Sequence, residues 1–328
     1  MPTELYSKRD IERRLDFSKT LEIVEKTYVE TARGRVLNPP KSTMHLGDDG
    51  EWPDMNAFSI TMPAYVDWLE VAGMKWAVAT WDADAETPIS SRILLFDLQQ
   101  GEFTSITEGM CITGVRTAMQ SVVGLRHLLP SAPATIGMLG AGFQARYQLS
   151  VIDSLVDVDR FRLFDTDSRR AQDLAEELRP RIDAEIIVSD SPIDVVSSNV
   201  VVTVTNSKTP VLDERWLDDA AFVIALGSYR ELPDETIRSS DHIIVDHPEQ
   251  CLQRGALSDL AARGELTRDD LDGTIGSVLD DGYSTPIGAD DRVVFVPIGL
   301  GSLDVSIAER LRANESQDGS IRNFDFVS

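Results

Sequence analysis

The chain has 328 residues, of which 42% are hydrophobic and 26% are charged, which is a globular mixture with room for two domains and not a disordered or fibrous chain. Its 55 acidic residues outnumber its 31 basic ones and give a net charge of −24, and a field of that sign repels the phosphate backbone of nucleic acids. No apolar run is as long as a transmembrane helix, and the charged first residues lack the apolar core of a secretory signal, so no membrane partner is expected.

The types of charged residue also predict an environment. Only six of the basic residues are lysines, and the acidic residues are spread along the chain. Such a surface suits a cytoplasm at high salt, where the repulsion is screened; an acidic protein of an ordinary cytoplasm is the alternative. Cys111 and Cys251 are too far apart for a disulfide framework or a zinc site, and the four histidines show no metal-ligand spacing. We therefore expect a cytoplasmic protein with reduced thiols and no metal.

The first part of the chain predicts helices followed by a sheet. Apolar side chains recur at helical spacing over residues 8–32, which predicts one or two amphipathic helices that end at Gly34. Residues 41–106 contain short β-type runs separated by polar loops, and this spacing predicts an antiparallel sheet. Residues 113–129 predict a further helix.

The pattern changes after Pro130. Short apolar strands then alternate with helix-length segments, and this alternation predicts a doubly wound parallel sheet. The predicted strands cover residues 134–139, 161–165, 185–188, 199–205, 220–227, 242–246 and 291–299. A last helix is predicted over residues 302–313, and the polar segment 315–328 is expected to be loosely held.

A glycine-rich motif directly follows the first of these strands and opens a helix. Its residues are Gly140, Ala141, Gly142, Phe143, Gln144 and Ala145, which match the dinucleotide fingerprint G-x-G-x-x-A. Gly140 permits a tight turn, Gly142 lets a pyrophosphate approach the backbone, and the helix N-terminus faces the phosphates. We therefore expect Gly140, Gly142, Phe143 and Gln144 to bind the cofactor; a Rossmann-like fold with an empty or a different nucleotide site is the alternative.

Asp165 ends the next predicted strand. An acid at this place accepts hydrogen bonds from ribose hydroxyls and repels a 2′-phosphate, so NAD is the expected cofactor. Arg169 and Arg170 lie close behind, and NADP is therefore possible. Thr205 and Gly227 lie at the carboxyl ends of two later strands, where open parallel sheets bind ligands, and are expected to bind the cofactor. Ordinary strand-to-helix turns are the alternative.

Several further segments occur in a recognisable order. They are Met62–Tyr65, Lys75, Arg116–Ala118, Gly137–Gln148, Val245–Asp246, Glu249–Gln250 and the pair Gly299 and Asp304. Together they resemble the ornithine cyclodeaminase/mu-crystallin family over about residues 5–312, which implies a homodimer of two-domain subunits. One domain, residues 1–129 plus 296–328, is expected to bind substrate and form the dimer interface. Residues 130–295 are expected to form a Rossmann domain, so the fold class is α/β, with a doubly wound parallel sheet inserted in an α+β domain.

The resemblance also implies roles for single residues. Lys75 and Arg116 match residues that hold an amino-acid carboxylate, and Arg116 and Thr117 are expected to lie near the cofactor. A carboxylate needs fixed cations, which fits both basic residues independently. Lys75 is also the expected catalytic residue, a proton carrier if burial lowers its pKa; a snorkelling lysine and a helix-face ion pair of Arg116 are the alternatives. Lys41 follows two prolines where the family has an arginine, and is expected to contact the substrate. Asp304 is expected to cap or orient the last helix.

One position departs from the family's pattern. Cyclodeaminases and the archaeal alanine dehydrogenases of this family have an aspartate two residues after the glycine that matches Gly227, where it handles the substrate amine, and this chain has Tyr229. A tyrosine is not an anionic partner for an ammonium at pH 7, so Tyr229 is expected to contact a different kind of substrate. The expected function is that of an NAD(P)-dependent oxidoreductase acting on the C–N bond of an α-amino or α-imino acid, of the ketimine reductase or amino-acid dehydrogenase type. A cyclodeaminase-type ammonia lyase with bound NAD and a non-catalytic mu-crystallin-like binding protein are the alternatives.

Overall fold

The computed structural model describes residues 2–47, 52, 55–80, 89–218, 221–283, 287–314 and 321–326. The chain forms two compact units, one of Met1–Arg116 with Leu300–Ser328 and one of Thr117–Gly299. The second unit therefore interrupts the first in sequence, at boundaries that differ from the expected 129/130 and 295/296. In the described part of the chain, no helix combines the length and the apolar character that a bilayer-spanning helix needs.

The first unit contains a mixed sheet with helices against one face. Its strands are β1 (Thr3–Tyr6), β2 (Val36–Leu37), β3 (Ser42–Leu46), β4 (Ala57–Val66), β5 (Val71–Thr80), β6 (Ile89–Asp97), β7 (Glu102–Glu108) and β16 (Arg322–Phe324). Its helices are α1 (Lys8–Arg14), α2 (Phe17–Ala32), the first part of α3 (Gly109–His127) and α11 (Gly301–Ala313). The strand order is β16-β1-β7-β6-β5-β4-β2, and β3 also pairs with β4. Strands β3 to β7 pair antiparallel, as predicted, and β1 joins parallel to β7.

Local signals explain where the helices of this unit begin and end. Asp16 caps α2 by accepting a backbone N–H of the first turn, and Gly34 follows the helix with a φ of 72°. The next helix, α3, begins at Gly109 and therefore earlier than the predicted residue 113. The Glu108 carboxylate accepts the N–H groups of the two residues after Gly109, at 2.8 and 3.0 Å, and so caps the earlier start.

The last helix, α11, determines which face of the sheet is buried. It packs against β4, β5 and β6, and α2 packs against α11 in turn. Along β4, Ile60, Met62, Ala64 and Val66 are buried and alternate with partly exposed residues, as expected of a strand covered on one face. The chain therefore returns to the first unit after the second unit ends.

The C-terminal segment differs from its expectation. Residues Arg322–Phe324 form β16, which pairs antiparallel with β1. All three residues of β16 are exposed, so the alternation of burial that reveals a strand in a sequence is absent here. Pairing with a strand more than 300 residues away defines the element. Residues 315–320 and 327–328 of the same segment lie outside the described residues.

The second unit contains a doubly wound parallel sheet, which confirms the predicted fold class. Its strands are β8 (Thr135–Leu139), β9 (Arg160–Phe164), β10 (Glu185–Val188), β11 (Val200–Thr203), β12 (Phe222–Ala225), β13 (His242–Val245), β14 (Gly273–Thr274) and β15 (Val293–Val296). Its helices are the rest of α3, α4 (Phe143–Leu155), α5 (Ser168–Leu178), α6 (Pro192–Val196), α7 (Asp234–Arg238), α8 (Pro248–Cys251), α9 (Ser258–Ala262) and α10 (Ile275–Leu279). The order is β10-β9-β8-β11-β12-β15-β13-β14, and every neighbouring pair is parallel.

The second half of α3 belongs to this unit because it packs on the parallel sheet. A Cβ on Gly124 would lie 2.7 Å from the ring of Phe295 in β15, so the helix approaches the strand as closely as a glycine allows. Val122 and Val123 are fully buried in the same stretch. The observed boundary therefore falls inside α3, and not after it.

Candidate functional site

The order of the parallel strands reverses at β8, and polar residues follow the strands there. In open parallel sheets, ligands bind beyond the carboxyl ends of the strands at such a reversal. A cleft of about 560 Å³ lies at this edge, and its lining includes Gly140, Gly142, Asp165, Thr205 and Ser207. The structure thus gathers around one cleft four residues that the sequence analysis assigns to the cofactor.

Glycine is needed at the two positions of the motif for different structural reasons. Gly140 directly follows β8 with a φ of 106°, and a Cβ there would lie 2.7 Å from the carbonyl oxygen of Val204. Gly142 precedes α4, and a Cβ on it would meet nothing within 4 Å. The first N–H groups of α4, a helix of 13 residues, lack partners within the helix and attract anions. The motif therefore presents a helix N-terminus where Gly142 lines the cleft.

Asp165 is fixed by the backbone on both sides. Its Oδ2 accepts the N–H of Ala141 at 2.8 Å, and its Oδ1 accepts the N–H of Asp167 at 2.9 Å. A carboxylate has about four lone-pair positions, so Asp165 can accept further hydrogen bonds. Arg170 lines the same cleft, and its Nε lies 3.4 Å from Oδ2 of Asp167. The cleft thus holds both the acid expected for a ribose and one of the two arginines considered for a phosphate.

A buried carboxylate that the sequence analysis does not single out joins the loops after β11 and β12. Glu231 accepts the N–H of Gly227 at 2.7 Å, the N–H of Thr205 at 2.6 Å and the hydroxyls of Thr203 and Thr205 at 2.9 and 2.7 Å. Burial raises the pKa of Glu231. A Cβ on Gly227 would collide with this carboxylate, which explains the glycine. Because Glu231 engages the Gly227 N–H, the cofactor contact expected of Gly227 stays a prediction.

The remaining predicted residues of the second unit lie at separate places. Phe143 is exposed and packs against a neighbouring tyrosine, and Gln144 is half-buried in the first turn of α4. Thr117 is buried in α3. Tyr229 is exposed in the loop after β12, with the Nζ of Lys208 5.7 Å from its ring centre. In the described structure these predicted residues do not line the cleft, so their roles stay predictions.

In the first unit, three charged side chains meet on the buried face of the sheet. The Nζ of Lys75, in β5, lies 2.9 Å from Oδ2 and 3.1 Å from Oδ1 of Asp304, in the first turn of α11. Lys75 also donates to the hydroxyl of Thr113 at 3.3 Å, and the Nε of Arg116 lies 3.5 Å from Oδ1 of Asp304. Lys75, Arg116 and Asp304 are only 3%, 7% and 0% exposed. We call these three residues the charged cluster.

The charged cluster shifts the pKa of the Lys75 ammonium. Burial and the neighbouring Arg116 lower the pKa of Lys75 to about 8, and the Asp304 carboxylate opposes this shift. The helix dipole favours a negative charge in the first turn of α11. Asn38 fixes this helix end by accepting the N–H of Ser302 at 3.0 Å. A lysine with a pKa near 8 changes its protonation state close to neutral pH, as a proton donor must.

Asp304 thus does more than the expected capping or orienting of the last helix, because it binds Lys75 and lies next to Arg116. An acid in a first helical turn is such a common sign of a helix start that the sequence does not reveal this second role. Lys41 is half-buried between β2 and β3, and its contact with a substrate stays a prediction. The described residues contain no group of three or more His, Cys, Asp or Glu side chains placed to hold a metal ion.

Known proteins resemble this chain over most of its length. It is 24% identical to the alanine dehydrogenase of Archaeoglobus fulgidus over 322 residues, which cover 96% of this chain and 95% of that protein. It is 24% identical to a Delta(1)-pyrroline-2-carboxylate reductase of Bacillus cereus over 276 residues, 82% of this chain and 85% of that protein. A solved structure of the Thermococcus litoralis Delta(1)-pyrroline-2-carboxylate reductase with NADH and L-proline matches with a TM-score of 0.87 at 22% identity, over 94% of this chain and 96% of that one. This structural likeness shows a shared fold.

The broadest comparison is with a whole family. The model of the ornithine cyclodeaminase/mu-crystallin family matches residues 1–319, a range that includes the glycine motif and the charged cluster. The resemblance drawn from the sequence segments is therefore confirmed. This chain belongs to the ornithine cyclodeaminase/mu-crystallin family.

Proposed function

We propose that this protein is an NAD(P)-dependent oxidoreductase that acts on the C–N bond of an α-amino or α-imino acid. The observation that carries the proposal is the buried Lys75, which lies beside Arg116 and has a pKa of about 8. Such a pair combines a cation for a carboxylate with a group that can release a proton near neutral pH. The names of the relatives, an alanine dehydrogenase and a pyrroline-carboxylate reductase, support the same class of reaction.

The cleft of the second unit fits the proposed cofactor, NAD. The open backbone at Gly142 and the N-terminus of α4 suit a pyrophosphate, and Asp165 suits the hydroxyls of an adenosine ribose. The Thermococcus relative named above carries NADH in its solved structure. NADP stays possible because Arg170 lines the same cleft.

In the direction of reduction, bound NADH supplies the hydride that the Cα of the C=N group receives. The residues of the charged cluster then have distinct tasks. The planar guanidinium of Arg116 binds the α-carboxylate, with Lys41 as an additional point charge. Lys75 donates a proton to the nitrogen, and Asp304 holds the Lys75 ammonium in place through its 2.9 Å contact. One hydride and one proton together convert the C=N group into an amine.

We expect Asp165→Ser to narrow the preference for NADH over NADPH. The carboxylate is proposed to face the adenosine ribose, where it repels a 2′-phosphate, and the native preference should reach about tenfold, or 1.4 kcal/mol. Serine removes the charge and therefore the repulsion. Fluorescence titration of both reduced cofactors measures the ratio of their Kd values. A native preference for NADPH would contradict the assignment of Asp165 and indicate that Arg170 binds the 2′-phosphate.

We further propose a homodimer formed through the outer face of the first unit's sheet. α11 packs on the inner face, and on the outer face Trp76 and Val78 are 49% and 42% exposed. Trp76 has a cross-strand neighbour on each side, Thr61 and Arg92, so its ring lies in the interior of the sheet and not at an edge. A pair of exposed apolar side chains in the middle of a sheet face can form the centre of an interface, and a second copy presents the same pair.

Trp76→Asp should weaken this dimer by roughly thirtyfold or more, because a buried aromatic residue at an interface often contributes at least 2 kcal/mol. Light scattering across a dilution series measures the dissociation. The matched control is Ile193→Asp, which places the same charge on an equally exposed apolar residue of the second unit. A native protein that is monomeric at all concentrations would contradict the proposal.

We also propose a cytoplasm of high salt as the environment. Cys111 and Cys251 are both buried and neither is in a disulfide, which is typical of a reducing compartment. The net charge of −24 makes the folded state repel itself unless salt screens the charges. A free energy of unfolding that rises steeply with molar KCl supports the proposal, and an unchanged one contradicts it.

A screen for NADH oxidation at high salt tests the proposed function. The substrates are 2-oxo acids with ammonia or alkylamines, and cyclic imino acids. Net consumption of NADH with one of them is the expected result. Release of ammonia from a diamino acid without net change in NADH would instead indicate a cyclodeaminase. Ligand binding without any turnover would indicate a mu-crystallin-like binding protein.

A further inference from the structure

A fully buried carboxylate joins two loops at the carboxyl edge of the parallel sheet. Glu231 is 0% exposed, and each of its oxygens accepts one backbone N–H and one hydroxyl. Oε1 accepts the N–H and the hydroxyl of Thr205, in the loop after β11, at 2.6 and 2.7 Å. Oε2 accepts the N–H of Gly227 at 2.7 Å and the hydroxyl of Thr203 at 2.9 Å. Glu231 therefore fixes the loop after β11 to the loop after β12, entirely within the second unit.

This carboxylate has no acceptor position left for a ligand. Its lone-pair positions are used by four donors of the chain, and Glu231 is not part of the described lining of the nucleotide cleft. Taking a carboxylate out of water is costly, and donors in good geometry offset that cost. Hydrogen bonds are directional, so they fix the two loops more strictly than apolar contacts would. Glu231 therefore acts on the cleft through the residues that it holds.

The hydrogen bonds continue from Glu231 into the wall of the cleft. The Ser207 N–H donates to Oγ1 of Thr205 at 3.1 Å, and Thr205 donates its hydroxyl hydrogen to Glu231. Thr205 and Ser207 both line the cleft, together with Asn206 between them. Glu231 thereby orders the wall that these three residues form.

This wall lies across the sheet from the residue proposed for the adenosine ribose. In the strand order, β8 has β9 on one side and β11 on the other. Asp165, which follows β9, is proposed to bind the adenosine ribose, and Gly142, after β8, the pyrophosphate. The rest of a dinucleotide then extends over the end of β11, beside Thr205 and Ser207 in the same cleft. That half of the dinucleotide carries the nicotinamide.

We propose that Glu231 is a positioning residue for the nicotinamide half of the cofactor. It contacts no ligand itself and holds Thr205 and Ser207 in the arrangement that the nicotinamide ribose requires. Because the hydroxyl hydrogen of Thr205 is committed to Glu231, the Thr205 oxygen is left to accept a hydrogen bond from a ribose hydroxyl. The inference rests on the proposed cofactor site, because it concerns the second half of the same cleft.

Glu231→Gln should weaken NADH binding by about tenfold or more and leave ADP binding within about threefold. A glutamine amide has one acceptor oxygen and one donor nitrogen, so in either orientation its NH₂ group faces a backbone N–H, that of Thr205 or that of Gly227. One of the two loops must therefore move. ADP contains the adenosine and the pyrophosphate but lacks the nicotinamide ribose, so it reports on the other half of the cleft. Calorimetry with both ligands gives the two Kd values.

Two further variants separate positioning from folding. Asp153→Asn is the matched control, because the Asp153 carboxylate also accepts backbone N–H groups, those of residues 183–184, outside the described lining of the cleft. It should lower the free energy of unfolding without changing the ratio of the Kd values for NADH and ADP. Thr205→Val removes the hydroxyl that joins Glu231 to Ser207, and it should alone weaken NADH more than ADP. Its effect on NADH binding should not add to that of Glu231→Gln, because both act through the same hydrogen bond.

The outcomes separate this inference from the proposed function. Equal losses of NADH and ADP affinity in Glu231→Gln overturn the inference, and so does a loss of stability with both affinities intact, because Glu231 then has a purely structural role. Additive effects of the two substitutions overturn it as well, since Thr205 then acts without Glu231. In all three cases the native protein still binds NADH, and the proposed function stands. A native protein that binds neither NADH nor ADP would overturn the proposed cofactor site together with this inference.

Discussion

Lys75→Met should lower kcat/KM for imine reduction by roughly 10²- to 10⁴-fold, the range for losing a general acid. Methionine fills most of the lysine's volume on β5, but it cannot donate a proton to the substrate nitrogen. Most of the loss should fall on kcat, because Arg116 still binds the α-carboxylate. Stopped-flow measurement of NADH oxidation on the substrate found by the screen gives both constants.

Two controls separate chemistry from folding in this experiment. Lys19→Met removes an exposed lysine of the same unit, whose only described ion pair is a loose contact of 3.8 Å with Asp16, and should leave kcat unchanged. Lys75→Met leaves Asp304 buried without its ammonium, so the free energy of unfolding should fall by about 3–5 kcal/mol. The NADH affinity should persist, since the cleft is lined by residues of the second unit. A variant with native kcat would remove Lys75 from the mechanism.

Asp304→Asn and Arg116→Gln should move the pH dependence of reduction in opposite directions. The groups facing the Lys75 ammonium are the acid of α11 and the arginine of α3, and its neighbours on β4 and β6, Met62 and Ile93, are uncharged. Protonated Lys75 is the proton donor, so kcat/KM should fall as pH rises through its pKa of about 8. Asp304→Asn removes a charge that raises this pKa and should move the fall to lower pH by about 1 pH unit, whereas Arg116→Gln should move it to higher pH.

The small number of lysines makes the pKa itself measurable. With six lysines in the chain, the ¹³Cε resonances of labelled protein are few, and the signal missing from Lys75→Met identifies Lys75. Its titration in Asp304→Asn and Arg116→Gln should shift in the same opposite directions as the kinetics. Titration shifts without kinetic shifts would exclude Lys75 as the proton donor. Lower activity with no shift of either kind would leave Asp304 a purely structural role.

The sequence predicted those elements whose own residue types indicate burial or a turn. The buried strands of the parallel sheet, such as β11, are apolar throughout, and Gly140 marks the turn after β8 through a φ that favours glycine. Elements whose existence or bounds depend on contacts with other parts of the chain were missed or misplaced. The exposed β16 exists through its pairing with β1, and the early start of α3 depends on the Glu108 side chain. The domain boundary inside α3 depends on the surface against which the helix packs.

The residues of the candidate site also fall into those that the sequence indicated and those that it did not. Lys75 stood out because lysines are rare in this chain, and Asp165 because of its place after a predicted strand. Glu231 looks like an ordinary surface residue in the sequence, and Asp304 looks only like the acid of a helix start. Their importance comes from partners that are distant in the chain. Burial and pairing of single charges are properties of the folded chain that periodicity does not encode.

Transfer of deuterium tests the central claim most directly. The protein is incubated with NADH deuterated at C4, on each face of the nicotinamide in turn, and with the best imine from the screen. For one of the two cofactors, mass spectrometry and NMR should find one deuterium at Cα of the amino-acid product, in equal amount to the NAD⁺ formed. A product without deuterium from either cofactor, or ammonia released while the NADH remains unchanged, would contradict net reduction of a C=N bond by this protein.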